Sequence, residues 1–212
     1  QGTTAPVNDP RLIYNMPSFE AAFGKPGAGD NQADFTLWQM ANVYFSRYRV
    51  APIVAINIFD PSRHTSPGEG GGPDVADVSK ITEADVIGGT DAAGKRTGLA
   101  LVDEVFPRFR LTPGLIMAPS WSGDPTVAKA IETACNNISG FFRASGIIEI
   151  PDEVTRHADA PAWLNDNNLT DQSGNTMAMF GNFIYGSRVE PGSIHLAGCI
   201  GGRDQTTDAV PY

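Results

Sequence analysis

Gly114-Leu115-Ile116-Met117-Ala118-Pro119-Ser120-Trp121-Ser122-Gly123-Asp124-Pro125 is the stretch on which the fold turns. Gly114 to Ala118 is a short apolar run without polar alternation, which is how a strand covered on both faces of a sheet reads. Ser120 to Asp124 then makes a strand-to-helix turn. Ser122 or Asp124 can cap the helix, and Pro125 suits its first turn because the N–H it lacks would be unpaired there. A helix is predicted from about Pro125 to Asn137, burying Val127, Ala128, Ile131, Ala134, Cys135 and Ile138 at three- and four-residue intervals. Phe141 to Ile150 reads as the next strand, ended by Pro151.

Further along the chain, a weaker helix is expected over Glu153 to Leu164, a polar loop over Asn165 to Asn175, and a strand over Met177 to Tyr185 broken by Gly181. Ile194 to Ile200 starts a last helix or strand. Towards the N-terminus, Ser18 is the expected cap of a helix carrying Phe19, Ala22 and Phe23 on one face. A second helix runs from about Phe35 to Tyr48, with Leu37, Met40, Ala41, Tyr44, Phe45 and Tyr48 in helical period. Val50 to Phe59 is dominated by Val, Ile and Ala and is the expected central strand. Residues 60–74 gather Pro61, Pro67, Gly68, Gly70, Gly71, Gly72 and Pro73 into a surface loop. Thr97 to Phe106 is helical by period, with Pro107 closing it. Strands alternating with helices across short connections predict one α/β domain over residues 1–212. Its central sheet is mostly parallel or mixed, flanked by helices and built on right-handed crossovers.

With 212 residues, 41% of them hydrophobic, the chain can bury a real core. No apolar run approaches the roughly 18 residues of a membrane span. The balance of 15 Lys+Arg against 24 Asp+Glu gives a net charge of -9, which argues against nucleic acid as a partner. Cys135 and Cys199 read as buried thiols rather than a disulfide, and no Cys/His spacing suits a structural metal. The chain begins at Gln1 with no secretory signal of its own, and reads as a fragment.

Each chemical motif has a blander reading. Gly89-Thr90-Asp91-Ala92-Ala93-Gly94-Lys95 has the spacing of a phosphate-binding loop, but Arg96 stands where a Ser or Thr would hold magnesium. Ser122 sits where a hydrolase places its nucleophile, but Ser120 replaces the first glycine of such an elbow, so capping explains it. His64, His157 and His195 are scattered. Glu149, Asp152 and Glu153 imitate an acid/base pair but suit a solvated strand end. No catalytic, cofactor-binding or metal residue is nominated, no cofactor is expected, and assembly outranks catalysis. The polar N-terminal segment and the C-terminal Asp208, Val210, Pro211 and Tyr212 suit chain ends that reach neighbours.

Taken in order, the motifs resemble the contractile tail sheath family of bacteriophages. Val50-Ala51-Pro52-Ile53-Val54-Ala55-Ile56-Asn57-Ile58-Phe59-Asp60 is followed by Thr82-Glu83-Ala84-Asp85-Val86-Ile87-Gly88-Gly89 and by Thr97 to Phe109. Pro113 to Pro119, Asp124 to Ala130, Phe142-Arg143-Ala144 and His195-Leu196-Ala197-Gly198 with Arg203-Asp204 continue the series, which covers about residues 6 to 208. The resemblance implies a non-enzymatic subunit of the virion tail, assembled in the host cytoplasm as six-fold rings around an inner tube and contracting on a baseplate trigger. Its implied partners are neighbouring sheath subunits, the tail tube protein, and baseplate and tail terminator proteins. An N-terminal arm and a tube-facing C-terminal domain are implied to be missing, which would leave this piece monomeric. Two alternatives stand beside this reading: a nucleotide-binding α/β enzyme using Gly89 to Lys95, and the sheath of a non-phage contractile injection system.

Overall fold

The computed structural model describes residues 5–30, 35–170, 174–186 and 188–206. The proposed contact residues Asp208, Val210, Pro211 and Tyr212 lie outside the described residues.

The middle of the chain builds a three-stranded parallel sheet from Leu115–Met117, Ser145–Ile150 and Thr176–Phe180. Ser145–Ile150 is its central strand, with Ile116 opposite Gly146 and Ile148 opposite Ala178. Parallel neighbours require crossovers, and helices supply them: Pro125–Asn136 between the first two strands and Ala160–Asp166 between the second and third. Asp124 caps the first helix by accepting from the Thr126 and Val127 amides at 2.8 and 3.1 Å, with Pro125 at its first position. Val127, Ala128, Ile131 and Cys135 are wholly buried against the sheet. Gly146 makes that approach possible, because a Cβ there would stand 2.9 Å from the Ile131 side chain and 3.0 Å from the Cys135 sulfur. The chain is therefore a mixed α/β fold, as its sequence predicts.

A second layer forms around the N-terminal elements. Arg11–Ile13 pairs antiparallel with Ile53–Ala55. Helix Met16–Phe23 buries Phe19 and Phe23, whose rings lie 5.0 Å apart, against Ala41 of helix Thr36–Asn42. That second helix widens into a π-helical stretch, Val43–Tyr48, and ends where Arg49 turns left-handed at φ 56°. Glu83–Ile87 is a short helix closed at its start by a reciprocal cap between Thr82 and Asp85. Near the C-terminus, the antiparallel hairpin Asn182–Tyr185 and Arg188–Pro191 leads into helix Gly192–Thr206, which packs on the π-helical stretch. Among the described residues no helix is long and apolar enough to cross a membrane.

Several expectations are corrected. Val50 to Phe59 is not the central strand. Only Ile53–Ala55 is extended in a ladder, and it belongs to a separate two-stranded sheet. Pro52 offers no N–H to a ladder. Asn57 closes the run on itself, accepting from the Phe59 amide at 3.1 Å and donating to the Phe59 and Pro6 carbonyls. Ser18 is not the first cap: Asn15 is, taking the Ser18 amide at 2.9 Å. Pro107 lies inside the helix Val105–Phe109, within its first turn where an N–H is dispensable, and Arg110 ends that helix in a left-handed conformation. The strand expected from Phe141 starts at Ser145, and Phe141 itself is 88% exposed. The helix expected from Glu153 begins with a tight turn at His157–Asp159. Residues 60–74 do hold some regular structure, since Thr65–Ser66 pairs with Val75–Ala76 around a turn at Glu69–Gly71. Neither cysteine is in a disulfide, but only Cys135 is buried and Cys199 is exposed.

Candidate functional site

The helix Gly192–Thr206 starts beside the C-terminal end of the central strand, and two carboxylates meet it there, one wholly buried and one half-buried. Glu190, the third residue of the last strand, is wholly buried. Arg47 of the π-helical stretch grips it with two bonds, Nη1 to Oε2 at 2.6 Å and Nη2 to Oε1 at 2.8 Å. This fork-to-fork geometry is the strong form of the ion pair. His195 Nε2 lies 3.0 Å from Glu190 Oε2, and the Tyr48 hydroxyl lies 3.1 Å from His195 Nδ1. A tautomer with its proton on Nε2 satisfies both contacts, with Tyr48 donating to Nδ1 and His195 donating to Glu190. Burial and contact with the Cys199 thiol push the Tyr48 hydroxyl up to about 12, so it remains a donor at neutral pH. The Tyr185 ring lies under Arg47, its centroid 3.9 Å from the guanidinium carbon, and Phe183 packs on His195 at 4.5 Å. The group thus fastens the hairpin, the last helix and the π-helical stretch together.

Glu149, one residue from the end of the central strand, forms the second tie. It accepts from the Ser120 amide at 2.8 Å and from the Ser193 hydroxyl at 2.5 Å. Ser120 has a left-handed φ of 65°, in the turn after strand Leu115–Met117. Burial raises the Glu149 pKa above its ordinary 4.5, while the bonds from Ser193 and Ser120 and the neighbouring Ser122 hydroxyl oppose that rise. A group whose folded pKa is raised contributes stability that is complete below its unfolded value and is lost as pH rises through its folded value. Relative to Glu149→Gln, the native protein should therefore lose stability as pH increases from about 4.5 towards neutrality. Thermal melts across that range check it, and a stability gap that is constant or widens in favour of the native protein contradicts it.

The motifs singled out from sequence are dispersed. Gly89 to Lys95 is no strand-to-helix loop. Gly89–Thr90 and Arg96–Thr97 form a hairpin, and the Asp91 carboxylate accepts from the Ala93 and Lys95 amides at 2.9 and 2.8 Å. A side-chain anion already occupies the amides that a phosphate would need. Ser122 is wholly buried, which removes its hydroxyl from any substrate in solution. Asp152 accepts from Asn182 at 3.0 Å and Glu153 is exposed, so neither shares the Glu149 tie. His64 is buried against Phe59, and its Nδ1 accepts from the Asp60 amide at 2.9 Å. His157 is exposed. The His64 Nε2 lies 3.3 Å from Asp85 Oδ2, whose carboxylate also takes Arg63, so His64 and His195 each join a polar chain. Sequence reading missed the roles of Glu190, Arg47 and Tyr48. Among the described residues no group of three or more His, Cys, Asp or Glu side chains is placed to hold a metal ion. Chemically, the two clusters supply directed bonds between segments, with their carboxylate oxygens engaged by the protein itself.

No protein-family model matches the chain. Over 91 residues, 43% of its length, the chain is 34% identical to a protein of Pseudomonas aeruginosa (strain UCBPP-PA14) provisionally named a prophage major tail sheath protein. The matched stretch is 22% of that relative, so the chain spans only about a fifth of its length.

Proposed function

We propose that this chain is the α/β core of a structural subunit in a contractile phage tail sheath, with residues 1–212 folding as one domain. The observation that carries the reading is the 91-residue similarity to a protein named for a prophage tail sheath. The clusters at Glu190 and Glu149 suit it, because a part that works by position must transmit force without deforming, and directed bonds between segments stiffen a fold. In this reading the subunit polymerises as hexameric rings with its own copies around a tail tube protein. Baseplate and terminator proteins bound the stack, and contraction drives the tube through the host envelope. The chain acts in the virion tail after assembly in the host cytoplasm, without catalysis or cofactor.

Expression of the complete protein carrying this sequence should give hollow tubes under the electron microscope. Particles that remain monomeric across protein concentration and ionic strength contradict the proposal. The acidic surface implied by a net charge of -9 makes salt a useful variable, since exposed charge contacts weaken as the Debye length falls to about 3 Å at 1 M.

A further inference from the structure

Two sheet edges line one apolar cleft. Leu115–Met117 is the outer strand of the three-stranded sheet, and Ile53–Ala55 is paired on one side only, with Arg11–Ile13. Between them is a cleft of about 540 Å³, walled by Ile53–Phe59 on one side and Gly114–Pro119 on the other, with Leu99, Val102 and Trp121 also in contact with it.

The direction of the edge groups follows from register. The Gly114 carbonyl accepts from the Ser145 amide at 2.9 Å, on the side of the central strand. Alternate residues of a strand bond to the same neighbour, so the backbone N–H and C=O of Leu115 and Met117 point the other way, into the cleft. Open strand edges are templates for pairing, and polar backbone groups facing an apolar wall are unfavourable without partners. The facing segment is suited to the task. Ile53, Val54, Ala55, Ile56 and Ile58 have the composition of a strand covered on both faces. Asn57 also ties the segment to its own partner strand, its side chain donating to the Pro6 carbonyl and its carbonyl accepting from the Asn8 amide at 2.8 Å, so the two strands form one unit.

We propose that Val54–Ile58 closes onto the Leu115–Met117 edge, so that the two-stranded and three-stranded sheets become one five-stranded mixed sheet. Its order would be Arg11–Ile13, Ile53–Ile58, Leu115–Met117, Ser145–Ile150, Thr176–Phe180. The cleft is the open form of this joint, and closure gives the Leu115 and Met117 backbone groups their partners.

Residue-resolved hydrogen exchange on the 212-residue chain, with nuclear Overhauser contacts from the same sample, tests this. The Leu115 and Met117 amides are expected to exchange at least about a thousandfold more slowly than unpaired amides, comparably with Ile147, and to show cross-strand contacts to Val54–Ile58. Exchange at the rate of an unpaired amide overturns the proposal. So does slow exchange without those contacts, which would place an apolar ligand or a second copy in the cleft instead.

Discussion

Arg47→Ala is expected to destabilise the fold by about 3 kcal/mol, because it removes the bidentate partner of a wholly buried carboxylate. For a domain of this size that is a drop in Tm of about 6–12 °C. The remaining neighbours cannot replace the fork: His195 makes a single contact with Glu190, and the Arg188 guanidinium stands 3.9 Å away. Glu190→Gln should cost less, about 1–2 kcal/mol, even though it breaks the same pair. It leaves behind Arg47, whose side chain is 26% exposed and can turn towards water, rather than a carboxylate with no exposure. The asymmetry is the diagnostic part. Equal losses from the two substitutions, or a neutral Arg47→Ala, would show that the network does not fasten the hairpin and the last helix.

The second large effect comes from shape rather than charge. Helix Gly192–Thr206 lies on the π-helical stretch through Gly198, where an added Cβ would stand 2.3 Å from the Tyr48 ring. Gly198→Ala must therefore push the helix away from Tyr48 and strain the Tyr48–His195 contact. A loss of about 3 kcal/mol is expected, the upper part of the range for overpacking a filled interface. Four residues on, Gly202 provides the control. A Cβ there would meet Val50 at 3.7 Å, an ordinary contact. Gly202→Ala should be neutral or stabilising by up to about 1 kcal/mol, through helix propensity alone. Denaturant unfolding of the two variants separates close packing from propensity, and the account fails if they shift stability in the same direction.

These residues also mark where sequence reading stops. The parallel unit from Leu115 to Phe180 was legible because its signals are local: a capped helix with Pro125 at its start, an apolar stripe at helical period, and Pro151 after a strand. Val50 to Phe59 was misplaced because an apolar run reports burial but not the partner strand, and the self-bonding of Asn57 left no mark in composition. Asn15 and Ser18 are both good capping residues, and only the backbone shows which amide is bonded. Asp91 was readable in principle, since an acidic side chain inside a glycine turn competes with phosphate for the same amides. The Glu190 cluster was not readable. Arg47 and Glu190 are 143 positions apart, and nothing in the spacing of either says that the fold will bring them together. Gly198 was visible as part of a resemblance, yet its physical role needs the Tyr48 ring beside it.

An electron cryomicroscopy reconstruction of the assembled tube decides whether this chain is a sheath core. The expected result is a repeating sheath lattice into which this α/β core fits as a rigid body, with the Arg47–Glu190–His195–Tyr48 chain intact. A protein that never forms such a lattice, or a lattice whose repeating density does not accommodate the three-stranded parallel sheet and its helices, would contradict it.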